Sequence, residues 1–499
     1  MNGSWKKTTA LLLLGALLAS CGESAAANTE SGTEPSAPTG ENTEAAVNTE
    51  EAETEALYSS ALAPEDLGGR EIRILTYANS DYQNSYMDVW AETFDGTTLN
   101  DAVMTRNGLL AEKYNITFAF FDGKDNGSAQ SLLQKSVKAG EDAYDLAFLN
   151  ADGAVKLGIS GYLNEIGTLP NLSLSMPWWN QPMLSSSAIL GKNYFLIGDM
   201  NVDTWTQSYA VFFNKALAEQ HDVTDLYETV LDGKWTLDKL DAITRTLYQD
   251  LNGNGAYDEN DLYGLAACSV CIDCFWASAD VNFVRADDTG LTLQFTDAYY
   301  SLWDKMVSLL AAPEMLYTDR PQYTSMRDTY DRGAFLEDRA LFFIEGLCVA
   351  DRRLREMKSN FGILPLPKMD ETQKTYRTFS HASHNSTVSF PTTVQDIGTA
   401  TKIAEDMAFF SISTVRPAYY DKLLTGKIAR DENSIAMLDI LTQNIQYDLA
   451  FLLLNNSLTW PMRTEITKGN PAASWAEKSL KKCQKELDKY VTQITESQG

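Results

Sequence analysis

Basic residues are in short supply: 40 Lys and Arg stand against 68 Asp and Glu, for a formal net charge of −28 and a pI near 4.5. A surface of that sign repels phosphate backbones and anionic headgroups, which excludes nucleic acid as a partner. Histidine is scarcer still, at three residues, and there are six cysteines. No G-x-S-x-G, H-E-x-x-H or phosphate-cradling glycine loop occurs, so no motif set supports catalysis. The N-terminal apolar run, Leu11 to Leu18, is too short for a spanning helix. What the chain does have is 499 residues at 44% hydrophobic content, enough for two or three packed cores.

The first residues, "MNGSWKKTTALLLLGALLASCGES", place Lys6 and Lys7 before the apolar run and small residues before Cys21. That order describes a secretory signal peptide over residues 1–20. The cysteine directly after the small residues resembles a bacterial lipobox, in which Cys21 carries diacylglycerol and becomes the mature first residue. Residues 21–65 follow as an acidic linker. Nine glutamates (Glu23, Glu30, Glu34, Glu41, Glu44, Glu50, Glu51, Glu53 and Glu55) occur before residue 64 with no Lys or Arg between them. Such a composition predicts a disordered, self-repelling tether between a membrane anchor and a folded body.

From Leu67 the pattern changes. "REIRILTY" alternates as a strand, "TTLNDAVMTRNGLLAEKYN" has helical spacing, and "ITFAFF" reads as a strand. "SAQSLLQKSVKAG" reads as a second helix before the apolar strand "YDLAFLN". Alternating strands and helices predict a largely parallel sheet whose ligands gather at the carboxyl ends of its strands.

Further on come "ISGYLNEI", "GKNYFLIGDMNVDTWTQSYAVFFNKALAE", "DGKWTLDKLDAI", "GAFLEDRALFFIEG" and "SNFGILPLPK", in that order. Taken together they resemble the extracellular solute-binding proteins of family 1, the maltose-binding-like lipoprotein receptors of ABC importers. The resemblance runs from about residue 67 to 465. It implies an α/β, two-lobed periplasmic-binding-protein-like fold (type II) with a hinge between the lobes and a ligand cleft at their interface. Lobe one would be 66–200 and 378–430; lobe two would be 201–377 and 431–499. The implied function is a receptor that closes on an extracellular solute, most simply a mono- or oligosaccharide, and delivers it to ABC permease subunits. It would be a monomer, lipid-anchored on the extracellular face of the cytoplasmic membrane, and not an enzyme. A surface-anchored glycan hydrolase and a non-transport glycan-binding or sensory lipoprotein are the alternatives.

Sugar sites pair aromatic platforms with carboxylates and amides. By position, Tyr77, Asn79, Asp81 and Tyr82 follow the first strand, and Asn150 and Asp152 end a later one. Trp205 lies in the crossing segment. The resemblance implies aromatics from the second lobe at Phe275 and Trp276, a ligand contact at Glu345, and a stacking aromatic at Trp460. The chain departs from the family after "FFIEG": Leu347 and Cys348 stand where sugar binders often place a tryptophan. The ligand class therefore stays open.

Two further patterns involve metal. "QDLNGNGAYDENDLYG" places Asp250, Asn252, Asn254, Ala256 (through its carbonyl), Asp258 and Asp261 at the spacing of a twelve-residue calcium loop. An incoming helix is expected over 236–249 and a strand after it, so the loop reads as a structural Ca2+ clip at a helix-to-strand turn. Cys268, Cys271 and Cys274 stand at C-x2-C-x2-C, and His381 and His384 at H-x2-H. The cysteines suit zinc, part of an iron–sulfur cluster, a disulfide, or a buried face of small residues. The histidines suit a polar cleft segment or, with a third ligand, a metal.

Overall fold

The computed structural model describes residues 62–80, 83–84, 86–258, 260–287, 289–319, 333–423 and 432–496. Cys21, the signal peptide and the linker as far as residue 61 lie outside the described residues, as do Asp81 and Tyr82.

The chain enters as β1 (Arg70–Thr76), α1 (Thr98–Tyr114), β2 (Ile116–Asp122), α2 (Asn126–Ala139), β3 (Leu146–Leu149) and α3 (Ala151–Ile159). Beyond a first crossing come β4 (Tyr209–Asn214), α4 (Leu237–Thr244), β5 (Tyr248–Gln249), β6 (Leu262–Ala267) and α5 (Val270–Ser278). They are followed by α6 (Asp297–Ala311), β7 (Met315–Tyr317), β8 (Ala340–Gly346) and β9 (Phe361–Leu364). The chain then returns as β10 (Thr387–Ser389), α7 (Ile397–Ser411), α8 (Val415–Leu423) and α9 (Glu432–Gln443), and ends in α10 (Trp460–Thr467) and α11 (Ala472–Glu496).

Two principal sheets result, one per lobe, beside two short two-stranded ribbons. The first has the order β10-β3-β1-β2, with β1 parallel to both neighbours and β10 antiparallel to β3. The second has the order β7-β6-β8-β4-β9, in which β6 pairs parallel with β7 and β8 while β4 runs antiparallel to β8 and β9. The local sequence accounts for both. β4 ("YAVFFN") and β8 ("ALFFIEG") are buried along their whole length, as central strands covered on both faces must be. Phe212 and Phe343 sit opposite each other in that register, with ring centroids 6.1 Å apart. In the first lobe, α2 is closed at both ends. The Asp125 carboxylate accepts from Ser128 N at 2.8 Å, and Gly140 turns the chain out at φ 72°.

Three segments cross between the lobes side by side. The outgoing crossing pairs with the return crossing, with Tyr209 N donating to Phe379 O at 2.8 Å and His381 N to Gln207 O at 3.2 Å. A third segment joins them where Thr378 N donates to Asn444 O at 3.0 Å.

Around the expected calcium loop the structure corrects one expectation. The helix ends at Thr244, not 249, and Tyr248–Gln249 form a strand antiparallel to β6. The loop is thus the tip of a β-hairpin. A close approach explains the early helix end: a Cβ on Gly264 of β6 would lie 2.2 Å from Thr244 O. The last turn of α4 therefore rests directly on the strand backbone.

Candidate functional site

The carboxyl ends of β1 and β3 and the return crossing meet at a tight turn, residues 381–385. Tyr77, buried at the end of β1, donates its O–H to Asn385 O at 2.9 Å. Asn385 in turn accepts from Ala151 N at 3.1 Å through its side-chain oxygen, and its amide donates to the Tyr447 hydroxyl. Tyr77 therefore holds the floor of the site together and is not presented to solvent. Asn79 lies in a short ribbon, Ala78–Ser80 paired with Gln83–Asn84.

Asn150 caps the start of α3, and its side-chain amide donates to Asp152 Oδ1 at 2.6 Å and to Ser383 O at 3.1 Å. Asp152 also accepts from Ser383 Oγ at 3.2 Å and faces Lys156 Nζ at 3.5 Å. Burial pushes the Asp152 carboxyl above the usual range, and the Lys156 ammonium and the Ser383 bond oppose that rise.

From the second lobe, Asn455 Nδ2 donates to Ser383 Oγ at 3.2 Å, so one hydroxyl links Asp152 to the opposite side. Asn455 opens a π-helical turn, Asn455–Thr459, and α10 begins directly after it with Trp460 and Pro461. Such π turns displace a helix face outward and are frequent at functional sites. Here the turn leaves Trp460 53% exposed, the most exposed tryptophan side chain among the described residues. One turn on, the Arg463 guanidinium lies 5.1 Å from the Trp460 ring centroid and pairs with Asp273 of α5, Nε to Oδ2 at 3.0 Å. Both members of that pair are almost fully enclosed, at 6% and 1% exposure. Burial pushes Asp273 up, and the guanidinium beside it opposes the rise.

The histidine pair completes the site. His381 and His384 stack with ring centroids 4.1 Å apart and planes 13° from parallel. Burial lowers both, and the Arg463 cation adds to it, bringing His384 down to about 4. At neutral pH both are neutral imidazoles that can donate and accept one hydrogen bond each. Among the described residues no group of three His, Cys, Asp or Glu side chains is placed to hold a metal, so the pair lacks the third ligand a metal would need.

Three expected contacts need correction. Phe275 and Trp276 are fully buried: Trp276 stacks on Tyr299 at 5.3 Å and meets Phe283 edge-on at 5.1 Å, in the core of the second lobe. It is Asp273, two and three residues earlier on the same helix, that serves the site. Trp205 is also buried, against Tyr419 at 5.4 Å, on the wall of a separate hinge cavity. Glu345 is buried at the end of β8 and accepts from Gly346 N at 2.9 Å, beside the Tyr209 phenol, whose ionisation burial opposes first and the Glu345 carboxylate after it. None of Cys268, Cys271, Cys274, Cys348 and Cys483 forms a disulfide among the described residues, and all but Cys268 are buried.

In the 250–261 hairpin the carboxylates cap the loop's own donors. Asp250 accepts from Gly253 N and Gly255 N, each at 2.7 Å. Asp258 accepts from the side-chain amides of Asn252 at 3.0 Å and Asn254 at 2.6 Å. Asp261 accepts from the Tyr248 hydroxyl at 2.9 Å and from Leu251 N at 3.3 Å. The oxygen-rich donor set suits a hard cation.

Neither a protein-family model nor a curated protein matches this sequence. Solved structures do share the fold. The sugar-binding protein MalE from the phytopathogen Xanthomonas citri is similar at a TM-score of 0.60 and 12% identity, over 86% of this chain and 100% of the other. Mycobacterium tuberculosis UspC is similar at a TM-score of 0.55 and 13% identity, over 82% and 98%. The galacto-N-biose-/lacto-N-biose I-binding protein of the ABC transporter from Bifidobacterium longum, in complex with lacto-N-biose, gives 0.54 and 15%, over 85% and 98%. The fold is therefore the two-lobed type II architecture of substrate-binding proteins.

Proposed function

We propose that the chain is the substrate-binding receptor of an ABC importer, capturing an extracellular carbohydrate between its lobes and presenting it to a permease. The observation that carries this reading is the exposed Trp460 ring, held beside the buried Arg463–Asp273 pair and directly after the turn whose Asn455 bonds to Ser383 of the Asp152 cluster. An aromatic face beside fixed donors and acceptors suits a ring of C–H groups bordered by hydroxyls. Glycan-binding neighbours of the same fold support the reading.

Calorimetric titration of the purified chain with mono- and oligosaccharides tests it. Stoichiometric binding is expected, weakened at least tenfold in Trp460→Ala and Asp152→Asn, with the sugar recovered intact by mass spectrometry. Cleaved sugar would replace the receptor with a hydrolase, and binding unaffected by both variants would move the site elsewhere.

Cys21 is proposed as the lipid-bearing residue. Detergent-phase partitioning of the expressed protein, lost in Cys21→Ser, is the expected result. Calcium is proposed for the 250–261 hairpin, held by Asp250, Asp258 and Asp261 with the amide oxygens of Asn252 and Asn254 and the Ala256 carbonyl. Its chemistry there would be structural, drawing together carboxylates that as they stand accept from the loop's own donors and are not grouped around a cation. Chelator is expected to lower the melting temperature without abolishing sugar binding, and identical melting in chelator and in calcium would falsify it.

A further inference from the structure

α11 is the longest helix among the described residues, and its two sides differ in kind. Trp475, Ser479, Cys483, Leu487 and Ile494 are buried where the helix packs on the strand Gly290–Leu293, on α6 and on α10. The other side carries Lys478, Lys481, Lys482, Lys485 and Lys489, every one of them exposed. At 3.6 residues per turn and 1.5 Å per residue, the five fall on a single stripe about 16 Å long and about a quarter of the helix circumference wide. Only two acids, Glu486 and Asp488, occur between residues 478 and 489, in a chain whose acids otherwise outnumber its bases by 68 to 40.

Those two acids do not neutralise the stripe. Asp488 Oδ1 accepts from Gln484 at 2.8 Å, and among the described residues none of the five lysines forms a salt bridge. Lys478 alone has a close partner, the Trp475 ring, 5.4 Å from its Nζ to the centroid. Like charges four residues apart on a helix repel, and 478/482, 481/485 and 485/489 are three such pairs. The helix therefore carries a destabilising pattern that an anionic counterpart would relieve. The type of residue narrows what that counterpart is. α11 contains no arginine, whose planar fork matches one carboxylate or phosphate, and protein interfaces are depleted in lysine. Flexible point charges in a row suit a broad array of mobile anions. The net charge of −28 does not prevent such a contact, because at physiological ionic strength charges are screened beyond about 8 Å. A surface touching the stripe responds to the lysines ahead of carboxylates farther round the molecule.

We propose that α11 is a membrane-docking face, its lysine stripe lying flat on the phosphate headgroups of an anionic bilayer. The contact is electrostatic and reversible. It needs no acyl chain, so it is separate from the anchor proposed at Cys21 and from the sugar cleft.

The test uses residues 21–499, which contain every described residue, carrying Cys21→Ser so that no acyl chain contributes. Vesicles of equal parts phosphatidylglycerol and phosphatidylcholine are expected to sediment the chain at about 100 mM salt and to release it at about 500 mM, as screening shortens. Vesicles of phosphatidylcholine alone are expected to leave it in solution. The triple variant Lys482→Gln, Lys485→Gln, Lys489→Gln is expected to lower the partition coefficient at least tenfold. Its melting temperature should hold or rise, since all three repelling pairs are broken. A charge-matched control, Lys135→Gln, Lys239→Gln, Lys374→Gln, removes exposed lysines away from α11 and is expected to change partitioning less than about twofold. Equal sedimentation with both kinds of vesicle, or an equal loss in the two triple variants, overturns the proposal. So does a chain that stays in solution with anionic vesicles at about 100 mM salt, which would leave the stripe to an acidic protein surface.

Discussion

His384 shows how one buried side chain links the site to acid stability. Its folded pKa of about 4 lies below the ordinary value of 6.5, because burial and the Arg463 cation disfavour the imidazolium. Above pH 6.5 neither the folded nor the unfolded form is protonated, and there is no cost. As pH falls from 6.5 towards 4, the unfolded chain takes up a proton that the folded one refuses, so stability is lost over that window, by about 3 kcal/mol in the limit. His384→Gln is expected to flatten the decline of melting temperature between pH 6.5 and 4.5. An unchanged slope would mean that His381, stacked against it and lowered further, dominates the window alone. Asp273 was hidden from sequence reasoning for a related cause. It sits inside "CSVCIDC", where the thiols draw attention, and its partner Arg463 lies 190 residues away along the chain.

At the scale of elements, α5 explains why Phe275 and Trp276 were misplaced. Every residue from Val270 to Trp276 is buried, so no polar stripe marks which side of the helix meets the cleft. Position along the chain was the only guide, and it pointed to the right helix but the wrong face. Trp276→Ala is therefore expected to lower stability by roughly 3–5 kcal/mol, as removal of an enclosed aromatic does. Chemical denaturation would read that loss, and sugar affinity measured on the folded fraction should change little. The central strands were far easier to recognise, since continuous apolar runs such as "YAVFF" and "ALFFI" suit only a strand covered on both faces. The hairpin at 248–263 was not, because a two-residue strand has too few side chains to show a period and the helical spacing of α4 ran into it.

For the whole molecule, the charge of −28 acts on stability through self-repulsion, which salt screens. Raising ionic strength from about 10 to about 150 mM is expected to raise the melting temperature by roughly 2–5 °C. A fall would show that the ion pairs outweigh the net repulsion. The two-lobed architecture was legible through the ordered pieces that resemble a known family, since strand and helix alternation by itself predicts only a largely parallel sheet. The lobe contacts could not, since hydrogen bonds such as Asn455 to Ser383 join segments with no shared local pattern. The placement of β10 has a consequence for the order in which the molecule can be assembled. Thr387 bonds to Leu149 across 238 residues of sequence, so the first sheet lacks its antiparallel edge until the second sheet, inserted between them, has been completely synthesised. On a chain made from its amino end, the sheet begun first is the one completed last.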